Sequence, residues 1–276
     1  MNFYPTRYNE LSNQEVNELY RSETWSELSR NERLDALQEL ENRSSEELGI
    51  EPCEVRLEHM EGATYGGYND GVIYLNENLV ENGEFSVTFE DGTTQSFKQE
   101  DVNAQLMDTI HHENYHSYQD NAIHGMIEHD NTAEVEQWRA NWAQENYIDG
   151  NDPEHCYRLQ SLEKTAFEHG EANTTQAFDE IQTKYGEDAG YQSYLENINE
   201  YSYENELEQA KSITGDENIE QTVNQRIMDN YQANQATDFS DNTLESTHSV
   251  QNADEGNVND AVNNTPQITD EFEDCL

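Results

Sequence analysis

Residues 109–120 read TIHHENYHSYQD, and within them His112-Glu113-Asn114-Tyr115-His116 form a His-Glu-x-x-His pattern. On an α-helix, positions four apart lie about 40° apart around the axis and one turn apart along it. Both imidazoles can therefore reach one metal ion, and Glu113, beside His112, can reach a water activated by that ion without being a ligand itself. Zinc in such a site lowers the pKa of water, and a carboxylate takes the proton and passes it to a leaving amine. The neighbouring text supports the helix. Val102, Leu106 and Ile110, followed by Tyr115 and Tyr118, line one side of a segment running from Lys98 or Asp101 to about Asn121.

A third ligand is needed. Gly at 119 and His at 122 would complete one known arrangement, but Gln119 and Ala122 stand there. A carboxylate from a later helix is the alternative, and Glu163 in YRLQSLEKTAFEHGE is the best placed. Leu159, Leu162, Ala166 and Phe167 turn its surroundings toward a core, and Ala166 leaves room for close helix approach. A carboxylate in such surroundings is costly unless paired or bound to metal. Glu168, Glu134, His129 and His124 compete with it. His155, His169 and Tyr157 are candidate donors to a transition state. His111 points about 100° away from His112 and reads as a surface or supporting residue. Asp108 reads as a solvated acid or as a partner for an imidazole, and Gln119 as plain polar or near the site.

Upstream, Asn13 or Ser12 caps a short helix, and a longer one runs from Ser26 to Leu48 and stops at Gly49. Strand-like alternation begins at Cys53. A glycine-rich turn, EGATYGGYNDG (61–71), precedes a short strand over Val72–Leu75, and EFSVTFEDGTTQSF (84–97) reads as a hairpin turning at Asp91-Gly92. The turn glycines carry no phosphate-binding pattern, and Asn76 sits where it can shape a cleft. Downstream, helices are expected over Thr132–Tyr147, with Trp138 and Trp142 as core, then from Pro153 or Glu154 to Gly170, with Ala172–Tyr185 either continuing that helix or forming a last core helix, and as one helix over Tyr191–Ala210. The elements make an α+β fold: a small sheet on the His-Glu-x-x-His helix, with a helix-rich C-terminal half. The expected division is a metallopeptidase-like domain over 1–190, an acidic, partly helical extension over 191–236, and a disordered Asn/Asp/Glu-rich tail over 237–276.

The segment HHENYHSYQ resembles the active helix of bacterial zincin-like metallopeptidases associated with mobile elements and toxin systems. In those proteins the motif is followed by an aromatic residue and Gln, here Tyr118 and Gln119, then by a Trp-containing helix, here EVEQWRANWAQENYI. A closing Tyr, Gln, Glu and Ala follow, here Tyr157, Gln160, Glu163 and Ala166. The last part is also similar to the Glu-x-x-Ala element of phage-repressor-cleaving peptidases. The resemblance covers roughly residues 20–185 and departs at Ser161, where proline is usual. It implies a zincin-like fold, Zn2+ as cofactor, His112, His116 and Glu163 as ligands, Glu113 as the catalytic base, and a protein or peptide substrate.

Composition narrows the alternatives. In 276 residues, 60 acids face 13 bases, for a formal charge of -47. A nucleic-acid binder or a basic membrane-surface protein needs the cations this chain lacks. Residues 191–276 hold 19 acids and 2 bases, so most of the charge lies on the folded part. High-salt adaptation, a basic protein partner, or solubility would each explain it. No apolar run is long enough to span a membrane, and the first residues are not those of a secretory signal. The expected location is cytoplasmic, or exported without a signal peptide. Cys53, Cys156 and Cys275 are too few and too scattered for a disulfide framework or a cysteine zinc site. Two rivals to a peptidase remain. One is a metal-stabilised, non-catalytic acidic protein that binds a partner. The other is a mimic of nucleic acid.

Overall fold

The computed structural model describes residues 2–60, 62–89, 92–245 and 268–271, with only the backbone for 237–245 and 268–271. Ser12 caps α1 (Asn13–Asn17), receiving the Glu15 amide while Glu15 accepts the Ser12 amide. Such reciprocal capping satisfies two amides that the first helical turn leaves open. After α2 (Ser22–Glu27) the chain breaks at Leu28-Ser29 and restarts as α3 (Arg30–Leu48), with Glu32 accepting the Ser29 amide at 2.9 Å. The single helix expected from Ser26 is therefore interrupted at its start. Gly49, at φ 74°, ends α3.

Strands β1 (Glu54–Glu58), β2 (Thr64–Asn69) and β3 (Val72–Asn76) lie in one sheet, with β3 between the other two, parallel to β1 and antiparallel to β2. The stretch read as a glycine-rich turn is thus a strand. Only Asp70-Gly71, both at positive φ, make the turn. Gly66 serves close approach instead. A Cβ on Gly66 would lie 2.8 Å from Thr109 Cγ2 and 2.8 Å from the Tyr74 carbonyl oxygen. Gly66→Ala should cost about 1–3 kcal/mol, the usual range for overpacking. A urea midpoint unchanged from wild type would contradict this.

Asn76 caps α4 (Glu77–Asn82), and its amide donates to the Thr64 carbonyl rather than facing a cleft. Strands β4 (Glu84–Thr88) and β5 (Thr94–Lys98) pair as the expected hairpin, tied to the sheet by a bridge between Gly62 and Ser86. Then come α5 (Val102–Ile123), which carries the motif, α6 (Thr132–Trp142) and α7 (Ser161–Tyr185). Residues 172–185 continue the preceding helix rather than forming a separate one, so α7 is a single helix. It is preceded by a 3-10 turn at Tyr157–Leu159 rather than beginning at Pro153. The helix expected over Tyr191–Ala210 is two, α8 (Ala189–Glu200) and α9 (Tyr203–Thr214), with Ser202 capping the second.

The fold is α+β, as expected, with α5 at its centre. Helices α3 and α7 and strand β2 pack around α5, so the helix is buried on nearly every side rather than on one stripe. Tyr191 and Tyr194 of α8 join the main core, so α8 spans the boundary expected at residue 190. A second, smaller core gathers Ala140, Leu159, Ala210, Val223 and Ile227 under α9 and α10 (Ile219–Glu245). Of the tail expected to be disordered, 237–245 continue α10 and β6 (Ile268–Glu271) pairs antiparallel with β2. The remainder lies outside the described residues. Among the described residues, no helix is long and apolar enough to cross a membrane.

A buried polar knot fixes the back of α5. Glu41 accepts from the Cys53 amide (2.6 Å), Ser45 Oγ (2.7 Å) and Asn114 Nδ2 (2.9 Å). Burial nevertheless pushes its carboxyl from 4.5 up to about 7. The folded protein therefore holds a proton that the unfolded chain has released between those two values. Stability from this group is present below pH 4.5 and is lost as pH rises through about 7. The loss is on the order of 3 kcal/mol. Urea midpoints across this range should show wild type losing stability relative to Glu41→Gln, whereas a pH-independent difference would contradict the assignment.

Candidate metal centre

His112 and His116 lie one turn apart on α5, and Ser161, at the start of α7, brings Glu163 into the first turn of the facing helix. All three side chains are almost fully buried, at 2%, 0% and 0% exposure. The two Nε2 atoms are 3.0 Å apart. Glu163 Oε2 lies 3.4 Å from His112 Nε2, and Oε1 lies 3.4 Å from His116 Nε2. The three residues expected as ligands thus converge on one point.

The protonation of His116 follows from its neighbours. Gln119 Nε2 donates to the Leu162 carbonyl oxygen and to Thr165 Oγ1, both at 2.8 Å. A carbonyl only accepts, so the amide cannot be turned over, and Gln119 Oε1 must face His116 Nδ1, 2.7 Å away. That nitrogen then carries the hydrogen. In the neutral ring, Nε2 is left with a bare lone pair directed at His112 and Glu163. Gln119 therefore sets the tautomer that a metal ligand needs.

Glu163 is held in the same way. Tyr147 donates to Oε1 at 3.0 Å and Tyr157 to Oε2 at 2.9 Å. Burial alone would push this carboxyl up, yet His116 and His112 outweigh it and hold the carboxyl well below the usual range. Two imidazole nitrogens and a carboxylate whose acceptor atoms face one another fit a divalent cation of the zinc type. Without a cation, the cluster needs protons between its members.

Comparison with protein-family models, with curated proteins and with solved structures finds no match. The likeness to zincin-like peptidases therefore rests on the motif residues and on the geometry they adopt.

The rivals for third ligand are engaged elsewhere. His129 bridges Tyr118 and Glu134, at 2.9 Å to each; His124 contacts Asp120; Glu168 is exposed. Among the candidate donors, Tyr157 reaches the cluster through Glu163. His169 stacks on Tyr115, with ring centroids 4.6 Å apart, and His155 sits in the loop before α7 at φ 54°. His111 is buried rather than on the surface. It contacts Ser44 Oγ, and burial lowers its pKa to about 3. Asp108 is buried too, against Gly170 and engaged with Tyr194. Glu113 is fully buried beside His112. Tyr147 was not anticipated. It follows α6 by only a few residues, and nothing in its spacing distinguishes it from a core aromatic.

His112 lines a cavity of about 490 Å³, and Phe167 packs edge-on against its ring at 4.4 Å.

If Gln119 fixes the ligand tautomer, Gln119→Leu should weaken zinc affinity about 10- to 100-fold while the protein stays folded. Competition with a calibrated chelator checks this, and an affinity equal to wild type would remove Gln119 from the account.

Proposed function

We propose that this protein is a zinc-dependent peptidase that hydrolyses peptide bonds of a protein or peptide substrate, with His112, His116 and Glu163 as ligands and Glu113 as general base. The observation that carries the reading is that His112 belongs both to the ligand cluster and to the wall of the cavity. A site built only for stability would be closed; a catalytic one needs an open side.

A bound zinc ion supplies Lewis acidity toward a carbonyl oxygen and makes water a better acid. The chain's own residues do the rest. Gln119 keeps a hydrogen on His116 Nδ1, so that in the neutral ring Nε2 is the nitrogen with the lone pair. Tyr147 and Tyr157 each donate to one oxygen of Glu163, which fixes the carboxylate plane toward the two imidazoles. Phe167 covers one face of His112 and excludes water there. The Glu113 carboxylate takes a proton from the attacking water and returns it to the leaving amine nitrogen, acting as base and then as acid.

The rival, in which the metal only ties α5 to α7, has in its favour the near-complete burial of all three side chains. The two readings separate on a peptide-library digest followed by mass spectrometry. Zinc-dependent cleavage that is absent in Glu113→Gln supports the peptidase. Stoichiometric zinc with no cleavage of any peptide favours the rival.

A further inference from the structure

Strand β2 is where the sheet meets the metal centre. Gly66 lies so close to α5 that a Cβ there would touch Thr109, about one turn before His112 and Glu113. Ala63, just before the strand, and Tyr65, within it, line the cavity that His112 also lines. Strand β3 covers one edge of β2. The other edge, if open, would present amide and carbonyl groups beside that cavity, a template for any extended peptide.

The chain itself occupies that edge. β6 pairs with it antiparallel, Ile268 opposite Tyr68, Thr269 opposite Gly67 and Glu271 opposite Thr64. It therefore runs toward the end of β2 that borders the cavity. From Gly67 to Thr64 the register slips, since the partner advances only from Thr269 to Glu271. The irregularity falls at Tyr65 and Gly66, beside the cavity, where a bulge twists an edge away from regular pairing.

This strand is built to leave. It has 4 residues, at the short end of strands that hold in a sheet. It stands last in the order β1-β3-β2-β6, so among the described residues it pairs on one side only. Residues 246–267 join it to α10, a length of chain that spans up to about 70 Å when extended, so β6 can depart without α10 moving. As part of the same chain it competes for the edge at an effective concentration on the order of millimolar.

We propose that the outer edge of β2 is a peptide-binding edge held by the chain's own Ile268–Glu271, which an extended peptide substrate must displace to lie beside the metal centre. The consequence for catalysis rests on the peptidase reading; the occupancy does not.

The test uses full-length, zinc-supplied protein with Ile268→Pro and Thr269→Pro made singly. Successive amides of a strand point to opposite sides, so one of the two prolines removes a hydrogen bond to β2. Hydrogen exchange is read on 64–69 in a Glu113→Gln background, so that no peptide is cut. Outer-edge amides of β2 should exchange about tenfold faster in at least one proline variant than in its parent. The synthetic peptide TPQITDEFED, residues 265–274, should restore slow exchange to that variant, and the same peptide with proline at the disruptive position should not. With Glu113 intact, kcat/KM on a peptide cut in the library digest should rise about 3- to 10-fold in the same variant. Exchange that neither proline alters overturns the proposal. So does protection of β2 that falls on dilution, which would assign the strand to a second copy of the chain. Equal kcat/KM in all three proteins would also overturn it, leaving β6 a structural strand. Faster exchange that the peptide reverses, with no cleavage by any of them, sinks the peptidase reading alone and upholds the occupied edge.

Discussion

Glu113→Gln should abolish peptide hydrolysis, with a fall of about 10²–10⁴ in kcat, while leaving zinc stoichiometry at the wild-type value. The substitution keeps the shape of the side chain and removes only its ability to accept a proton. Glu113 is fully buried at a helix position between two imidazole-bearing residues and is not one of the converging ligand set. The metal should therefore not notice the change, whereas the transfer of a proton from water to amine loses its carrier. Paired measurement of metal content and turnover on the same preparation reads both. Retained activity would remove Glu113 from the mechanism; lost metal would make it a ligand.

The second large effect is on stability. Glu163 of α7 faces His112 and His116 of α5, and a metal held by these three residues binds the folded chain and not the unfolded one. At a free zinc level of about 100 times Kd, such linkage adds about 2.7 kcal/mol. For a domain of this size that is roughly 5–10 °C in Tm. Chelation should lower the Tm of wild type by this amount and leave Glu163→Ala, already without metal, unmoved. His112→Ala and His116→Ala should behave like Glu163→Ala. A chelator shift that persists in Glu163→Ala would place the third ligand elsewhere, and no shift in any of the proteins would mean that the cluster does not bind metal in the folded state.

What could be read from the chain follows from what periodicity and spacing encode. The convergence of His112, His116 and Glu163 was legible because four-residue spacing fixes two imidazoles on one helical face, and because Glu163 sits among apolar residues where an unbound carboxylate is expensive. The hairpin was legible from alternation around Asp91-Gly92. The sheet was harder. Gly66 and Gly67 suggested a turn, yet both pair with β3, and position 66 holds glycine because α5 passes too close for a Cβ, a contact between residues more than forty apart that local sequence does not carry. The roles of Gln119, Tyr147, Asp108 and Glu41 were hidden for the same reason. Each is fixed by a partner on another helix or loop, and a buried hydrogen bond leaves no period in the sequence. Of the two readings of His111, the surface one fails because a helix at the centre of a fold has no solvent face, so the angle that separates it from His112 leads into α3 rather than into water.

The central claim is that His112, His116 and Glu163 hold one metal ion. Elemental mass spectrometry of purified wild type, His112→Ala, His116→Ala, Glu163→Ala and Glu113→Gln tests it most directly. The account predicts one equivalent of zinc in wild type and in Glu113→Gln and none in the three ligand variants. Wild type that carries no metal after zinc has been supplied would contradict it.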